Sequence, residues 1–541
     1  MPSHAFSEAP VDPASTIDEL IGWLFSAGFH AILGIAFGVL AARAMRARHL
    51  HWSWAAGVLG VAALERPLHG GWMLTLASAS LLATTRGRRW HREDLEAGAD
   101  LADIAARRTG PLDLVRWLAL ALAARARVHE RIGAARRPHA DELLVGHDER
   151  HRGVSIPFGG EAGGTHALVV GATGSGKTVT QTWIAVRAIE RGMGAIVLDP
   201  KGDGGMREQL RKGALAAGRS FLEWTPDGQR VYNPYARGGA SEIADKVLAG
   251  ERFTEPHYLR QAQRYLGHVV RALRASGSQV SLSSIVEHLE PARLELLVRE
   301  LPEPEARATF SYLDSLSPRQ HSELAGVRDR LAILAESDVG TWLDPQTSGA
   351  PQFDLLGAVR SRAVVYFSLE SDSRPLLSEM LGAAIVQDLQ TTVAALQRSP
   401  QPTLVVIDEF SAIAAEQVVR LFGRARSAGF SLVLGTQELS DLRPAGRERL
   451  LEQVLGNLSV LIAHRQVVPD SAELIASVAG RRGAWKVSRH SDGKTTRVRA
   501  REPRLDPDRV MSLARGWAAV LVLGDGGAAR VTRMLSPARG R

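Results

Sequence analysis

Eight residues carry the sharpest chemical signal in the chain: Gly171, Ala172, Thr173, Gly174, Ser175, Gly176, Lys177 and Thr178. An apolar run from His166 leads into them, and a helical stretch from Gln181 to Arg191 follows. Glycines at this spacing let backbone N–H groups curl around phosphate oxygens, and the helix start adds a partial positive charge. Lys177 supplies a mobile cation for β- and γ-phosphates, while the Thr178 hydroxyl can ligate magnesium. A chance glycine turn would need neither the strand before nor the helix after. Further along, Asp408 and Glu409 close the apolar run Thr403–Ile407. A nucleotide site needs one carboxylate for hydrated magnesium and a neighbour to orient or deprotonate the attacking water. Asp408 takes the first role and Glu409 the second. Alone, such a pair is often a solvated turn; beside a phosphate loop it completes a site for ATP and Mg2+.

Gln437 follows the next strand-like run, where a side-chain amide can report a γ-phosphate. Between the two runs a helix ends in Gly423, Arg424, Ala425 and Arg426. Arginines there complement the helix dipole. The functional alternative is a cation donated to a neighbour's nucleotide across a ring interface. Arg426 is the candidate and Arg424 its competitor. Asp199-Pro-Lys-Gly-Asp203 and Asn233-Pro234 read as turns.

Elements must position these groups. Seven short, β-branched runs read as strands: 166–170, 195–199, 363–367, 403–407, 430–435, 458–463 and 518–524. Continuous apolar strands separated by helical patterns suit a mainly parallel sheet covered on both faces. Polar groups end three of them, at Asp199, Asp408-Glu409 and Thr436-Gln437, the edge where doubly wound folds gather ligand chemistry. The chain has 541 residues, 45% apolar and 23% charged, which excludes a disordered chain. It holds no cysteine, which excludes disulfides, thiolate metal sites and cysteine nucleophiles. A formal charge of +8 permits an anionic partner without demanding one.

Leu20–Ala42 offers 23 residues without formal charge, enough for a membrane span. The acidic residues before it (Glu8, Asp12, Asp18, Glu19) argue for a retained anchor over a cleaved signal. His30 within it reads as a packed side chain rather than a proton relay. A second span is expected at 68–85, ending in Arg86, Arg88, Arg89 and Arg92 on the cytoplasmic side. Arg43, Arg46 and Arg48 make the first link basic too, and two simple crossings cannot put both flanks inside. Either Trp52–Leu64 is a third crossing or half of a re-entrant hairpin, or the rule is broken once. Residues 93–137 read as arginine-rich helix near the headgroups.

The chain resembles the type IV secretion coupling proteins, the TraG/TraD-like membrane ATPases of conjugation. The block from His166 to Thr178 carries the likeness, with Leu198-Asp-Pro-Lys-Gly-Asp203, Asn233-Pro234, Val406-Ile-Asp-Glu-Phe410, Arg426-Ser-Ala-Gly429 and Leu434-Gly-Thr-Gln437. Each motif but the first is loose; their order, behind a membrane anchor, is specific. The resemblance implies a RecA-like P-loop motor with an N-terminal transmembrane anchor and an inserted all-α domain. The expected boundaries are 1–92 for the anchor, 93–150 for a helical linker, 151–237 with 344–541 for the motor, and 238–343 for the insert. It further implies a homo-hexamer at the bacterial inner membrane, multi-pass, with the motor in the cytoplasm. Such a motor recruits relaxase-bound DNA, taken as single-stranded, and relaxosome proteins to a type IV secretion channel, and pumps the DNA with ATP. Alternatives are an FtsK-type translocase, or a non-translocating membrane platform that recruits protein cargo under ATP control.

Residues 481–504 hold nine Lys/Arg against two acids, Asp492 and Glu502. Asp492-Gly493 suits a two-residue hairpin turn. One face would then carry Trp485, Val487, Val498 and Ala500, the other Lys486, His490, Arg497, Arg499 and Arg501. A solvated edge is the default reading. Contact of Lys486, Arg497, Arg499 and Arg501 with DNA phosphate is the alternative.

Overall fold

The computed structural model describes residues 13–47, 55, 71–96, 141–159, 164–251, 253, 255–303, 305–413, 415–443, 449–489, 495–523 and 529–537. They fall into two compact units, residues 1–125 with 481–502, and 126–480 with 503–541.

In the second unit, eleven strands form one sheet. In chain order they are β1 (Glu142–Asp148), β2 (Gly153–Pro157), β3 (His166–Val170), β4 (Gly194–Asp199), β5 (Phe221–Trp224), β8 (Val364–Ser368), β9 (Thr403–Ile407), β10 (Phe430–Thr436), β11 (Val460–His464), β14 (Trp517–Val522) and β15 (Arg530–Met534). The gaps in numbering belong to β6 (Val231–Tyr232) with β7 (Gln352–Phe353), and to β12 (Arg481–Arg489) with β13 (Thr495–Pro503), two small separate sheets. Across the large sheet the order is β2-β1-β15-β14-β11-β3-β10-β9-β4-β8-β5.

From β11 to β5 every pair is parallel, and from β11 outward to β2 every pair is antiparallel. Every residue of β3, β4, β8, β9, β10 and β11 is buried, as strands covered on both faces require. The seven strands expected from sequence are all present. In the antiparallel wing β1, β2 and β15 were not expected: they mix buried with exposed positions and carry polar residues, so they lack the continuous apolar run of the core strands.

The order of the core strands decides what can meet. β3 lies between β11 and β10, β9 lies beyond β10, and β4 beyond β9. The loops after five neighbouring parallel strands therefore open on one edge.

Between β6 and β7 the described residues include six α-helices, Ala240–Leu248, Pro256–Ala275, Leu282–His288, Pro291–Arg299, Glu305–Asp314 and Pro318–Ala335. β6 and β7 pair in parallel and close this excursion at its base. A buried polar cluster ties its first helix to the helix Pro375–Ala395 of the sheet layer. Lys246 Nζ donates to Asp388 Oδ1 at 2.6 Å, to the Pro234 carbonyl at 3.0 Å and to the Arg237 carbonyl at 2.6 Å. The Tyr232 hydroxyl donates to the other Asp388 oxygen at 2.7 Å. Burial pushes the Asp388 carboxyl up, and Lys246 and Tyr232 pull it back. Removing Lys246 or Asp388 would leave the other's buried charge unpaired, which is strongly destabilising.

In the first unit, α1 (Pro13–Ala47) packs along α2 (Gly71–Glu96). His30 Nδ1 meets Thr75 Oγ1 at 3.0 Å. Gly34 lies against Thr75 and Ser78, and Gly38 against Ala79 and Leu82. Ala42 and Ala83 share one small buried cluster. The numbers rise together on both helices, so the two run parallel. His30 is thus a packed, hydrogen-bonded side chain. Leu20–Met45 is the one helix among the described residues long and apolar enough to cross a membrane. Of the expected second span, 68–85, the described residues 71–85 give α2 an apolar stretch of 15 residues before Arg86, which by itself does not meet that test. Of the expected helical linker 93–150, residues 97–140 lie outside the described ones, 93–96 continue α2, and 142–148 are instead β1 of the large sheet, so the sheet starts before the expected boundary at 151.

β12 and β13 pair where the basic hairpin was expected. The Asp492-Gly493 turn lies outside the described residues, as do the side chains of Lys486, Arg497 and Arg499; Arg501 is exposed.

Candidate nucleotide site

The loop after β3 turns sharply at Gly176, whose φ of 113° no L-residue adopts comfortably, and the helix Lys177–Glu190 starts at once. The Gly171 N–H donates to the Thr436 carbonyl and the Ala172 N–H to the Arg465 carbonyl, at 3.2 and 3.0 Å. The loop is thereby hung between the ends of β10 and β11. Beneath it, buried His464 joins Thr180 Oγ1 through Nε2 at 2.9 Å and the Trp517 carbonyl through Nδ1 at 3.0 Å. Burial lowers its pKa to about 4, so it is a neutral prop.

Lys177 is itself buried, and its Nζ reaches Glu409 Oε2 at 3.0 Å and Asp408 Oδ1 at 3.4 Å. Thr178 Oγ1 donates to Asp408 Oδ2 at 3.3 Å. Gln437 joins the group twice. Its side-chain oxygen accepts from Thr173 Oγ1 at 3.1 Å, and its backbone N–H donates to Glu409 Oε1 at 3.2 Å. Residues from the ends of β3, β9 and β10 thus converge within hydrogen-bonding reach.

Glu409 is held in an uncommon backbone conformation, φ 48° and ψ 48°. A non-glycine residue there costs about 1–2 kcal/mol. Burial alone would raise its carboxyl. The Lys177 ammonium, its hydrogen bond, Gln437 and Lys201 outweigh burial and hold it below the usual carboxylate range. It is therefore ionised and aimed into the site.

The donor set fits a magnesium nucleotide. Thr178 and Asp408 supply one hydroxyl and one carboxylate to the same small space, and Mg2+ is usually held by one or two protein groups plus phosphates and waters. Among the described residues no cluster of three acidic or histidine ligands competes for a metal. Among the described residues Ser175 Oγ, buried within the loop, has no hydrogen-bond partner, a place a phosphate oxygen would fill.

Arg426 lies elsewhere. It precedes β10, at the amino ends of the strands, and β10 separates it from Gln437 by about 20 Å of strand. Its Nη2 donates to the Asn457 carbonyl at 3.0 Å and to Ser459 Oγ at 3.2 Å. Arg424 is exposed on the preceding helix, Ala415–Ala425. Neither touches the phosphate loop of its own chain.

Sequence reasoning missed several contributors. A Cβ on Gly435 would fall 2.6 Å from Asp408 Oδ1 and 2.5 Å from Gln181 Nε2, so only glycine lets β10 pass between them. Ser411 Oγ donates to Glu409 Oε1 at 3.3 Å. Asp199 and Lys201, read as a turn, adjoin the same carboxylate pair. The signal available was position: each sits at or just past the carboxyl end of a core strand.

A phosphate loop on a mainly parallel sheet, with paired carboxylates one strand away and a glutamine between, defines a RecA-like P-loop fold. Comparisons with known proteins carry this further. Residues 402–515 match the family described as the TraM recognition site of TraD and TraG, and residues 151–234 match the central domain of helicase HerA. The type 4 coupling protein DotL of Legionella pneumophila is 22% identical over 370 residues, 56% of this chain and 47% of DotL. The chain thus spans about half the length of that curated relative. A structure of the bacterial conjugative coupling protein TrwBdeltaN70 covers 75% of this chain and 91% of its own, with TM-score 0.57 at 17% identity. TrwB in complex with ADP and Mg2+ covers 69% and 85%, with TM-score 0.53 at 18% identity. Those two likenesses are of fold. In sequence over part of its length and in fold, the chain is similar to the type IV secretion coupling proteins.

Proposed function

We propose that the protein is a membrane-anchored ATPase that couples relaxase-bound DNA to a type IV secretion channel and drives its transfer. The observation that carries this reading is the convergence of Lys177, Thr178, Asp408, Glu409 and Gln437 at one sheet edge. It is joined by the family match over 402–515. The DotL and TrwB likenesses support the same reading.

In this mechanism the backbone N–H groups of Gly174 to Thr178 and the Lys177 ammonium bind the phosphates. Thr178 and Asp408 would hold Mg2+, which supplies charge neutralisation at the β- and γ-oxygens. Glu409 orients water for attack on the γ-phosphorus; the new P–O bond forms as the bond to the β–γ bridging oxygen breaks. ADP leaves with that electron pair, and the water proton passes by way of Glu409. Gln437 links the γ-phosphate side of the site to β10. Arg426, remote from its own loop, serves a neighbour's nucleotide in a hexameric ring.

The helices between β6 and β7 form the all-α domain, 238–343, that meets relaxosome cargo. Lys486, Arg497, Arg499 and Arg501 are the DNA-phosphate face of the hairpin. The motor lies in the cytoplasm and the anchor passes the inner membrane more than once. Parallel packing of α1 and α2 favours this, because it puts Arg43 and Arg46 on the same side as Arg86, Arg88 and Arg89, which the positive-inside rule makes cytoplasmic.

The test is ATP turnover by the full chain in detergent, with and without single- and double-stranded DNA. DNA-stimulated hydrolysis is the expected result. Turnover indifferent to DNA, with cargo protein still captured, would replace the motor by the recruitment platform.

A further inference from the structure

Lys201 belongs to no motif that a P-loop site requires, yet it stands at the reacting edge. It lies two residues beyond β4, the strand next to β9. Its Nζ is 3.6 Å from Glu409 Oε2, the oxygen that Lys177 holds at 3.0 Å. A surface ion pair would be the bland explanation, since the Lys201 side chain is 42% exposed. Two features speak against it.

The first is the loop that carries it. Asp199 is 1% exposed, and its carboxylate is given over to this turn. Oδ1 accepts from the backbone N–H of Lys201 at 2.9 Å and of Gly202 at 3.0 Å. Oδ2 accepts from the N–H of Asp203 at 2.6 Å and from the Tyr366 hydroxyl at 2.7 Å. A surface turn needs no buried carboxylate, and burying one is costly unless hydrogen bonds compensate it. Here four donors do so, and the result is a fixed backbone at Lys201.

The second is the charge count at the carboxylate pair. Asp408 and Glu409 have side-chain exposures of 5% and 10%, and in this structure two cations, Lys177 and Lys201, face them. Phosphates compete for Lys177. When it turns to them, Glu409 keeps Ser411 and the Gln437 N–H but has one cation left.

We infer that Lys201 is a positioning residue for Glu409, holding its Oε2 when Lys177 moves to the nucleotide, so that the carboxylate stays aimed at the attacking water. This rests on the proposed ATP hydrolysis at this site.

The test uses the full chain in detergent with Lys201→Ala, Lys201→Arg and each change combined with Glu409→Gln. Turnover is measured beside equilibrium binding of Mg-ADP and of Mg-ADP with aluminium fluoride, a mimic of the transferring phosphoryl group. Lys201→Ala is expected to lower kcat about tenfold, with KM and ADP affinity within about twofold. Aluminium fluoride complex affinity should fall by a factor similar to kcat, and Lys201→Arg should restore most of both. In the Glu409→Gln background, Lys201→Ala should change that affinity no further. Unchanged kcat and unchanged complex affinity in Lys201→Ala would return the residue to a surface ion pair. An equal loss with Glu409→Gln would mean that it acts on phosphate or on the fold, and would also overturn the inference. A wild-type chain that binds no nucleotide would instead bring down the parent reading, and this one with it.

Discussion

The two ends of the parallel strands are finished differently. At the carboxyl ends, groups from β3, β10, β9 and β4 meet within 3.0 to 3.6 Å, and nearly every charge has an opposite charge or donor from the same chain. At the amino ends, Arg426 is exposed, with a carbonyl and a hydroxyl as its hydrogen-bond partners among the described residues. The first end brings the phosphate loop, the carboxylate pair and the glutamine together within one chain. The second carries a cation for which the proposed partner is a phosphate held by another copy. The difference teaches that local motifs build the reactive edge, whereas the proposed ring contact rests on what the single chain leaves unpaired.

The largest expected effect strikes the reactive edge. Glu409→Gln should keep nucleotide binding and lower kcat by about a hundredfold or more, read by turnover against binding of a fluorescent ATP analogue. Comparable turnover in the variant would move the water-orienting role elsewhere.

The Arg426 edge comes next. Arg426→Ala should reduce kcat by about a hundredfold in assembled protein. Mixed with inactive Lys177→Ala subunits, it should recover partial hydrolysis, because some interfaces pair an intact loop with an intact arginine. Full activity of Arg426→Ala alone would erase the contrast between the edges and leave Arg424 as candidate.

A smaller effect belongs to the basic hairpin. Arg497, Arg499 and Arg501 changed together to Ser should flatten the salt dependence of DNA affinity by up to about 0.9 per lost duplex phosphate contact. An unchanged slope in a salt titration would make this strand pair a solvated edge.

In one property the two ends agree. Burial lowers His464 beneath the phosphate loop and His166 beside Arg426 alike, each to about 4. Both are neutral when folded and bind protons more readily when unfolded. Stability should therefore be full above the unfolded pKa near 6.5 and fall as pH drops from there towards 4. Each histidine can contribute a loss of up to ~3 kcal/mol. Denaturant titrations at pH 7 and 5 check it, and equal stability at both would contradict the neutral assignments.

The legible part of the molecule was the part built from contiguous residues. The loop 171–178, the Asp408-Glu409 pair and Gln437 each announce themselves at the end of an apolar run, and the sheet order then brings them together. Their mutual distances were not legible, since β9, β10 and β3 are far apart in sequence. Lys201 escaped because its role depends on Asp199 and Tyr366 fixing a turn, and no spacing rule encodes that. β1, β2 and β15 escaped because antiparallel strands with polar faces lack the continuous apolar run that marks the core strands.

The central claim is that nucleotide is held at the carboxyl edge through Lys177. Equilibrium binding of a fluorescent ATP analogue to the full chain, wild type against Lys177→Ala, with and without Mg2+, tests it most directly. The wild type should bind more tightly with Mg2+ than without, and Lys177→Ala should lose about tenfold or more in affinity. Equal affinity in the two proteins would contradict the account.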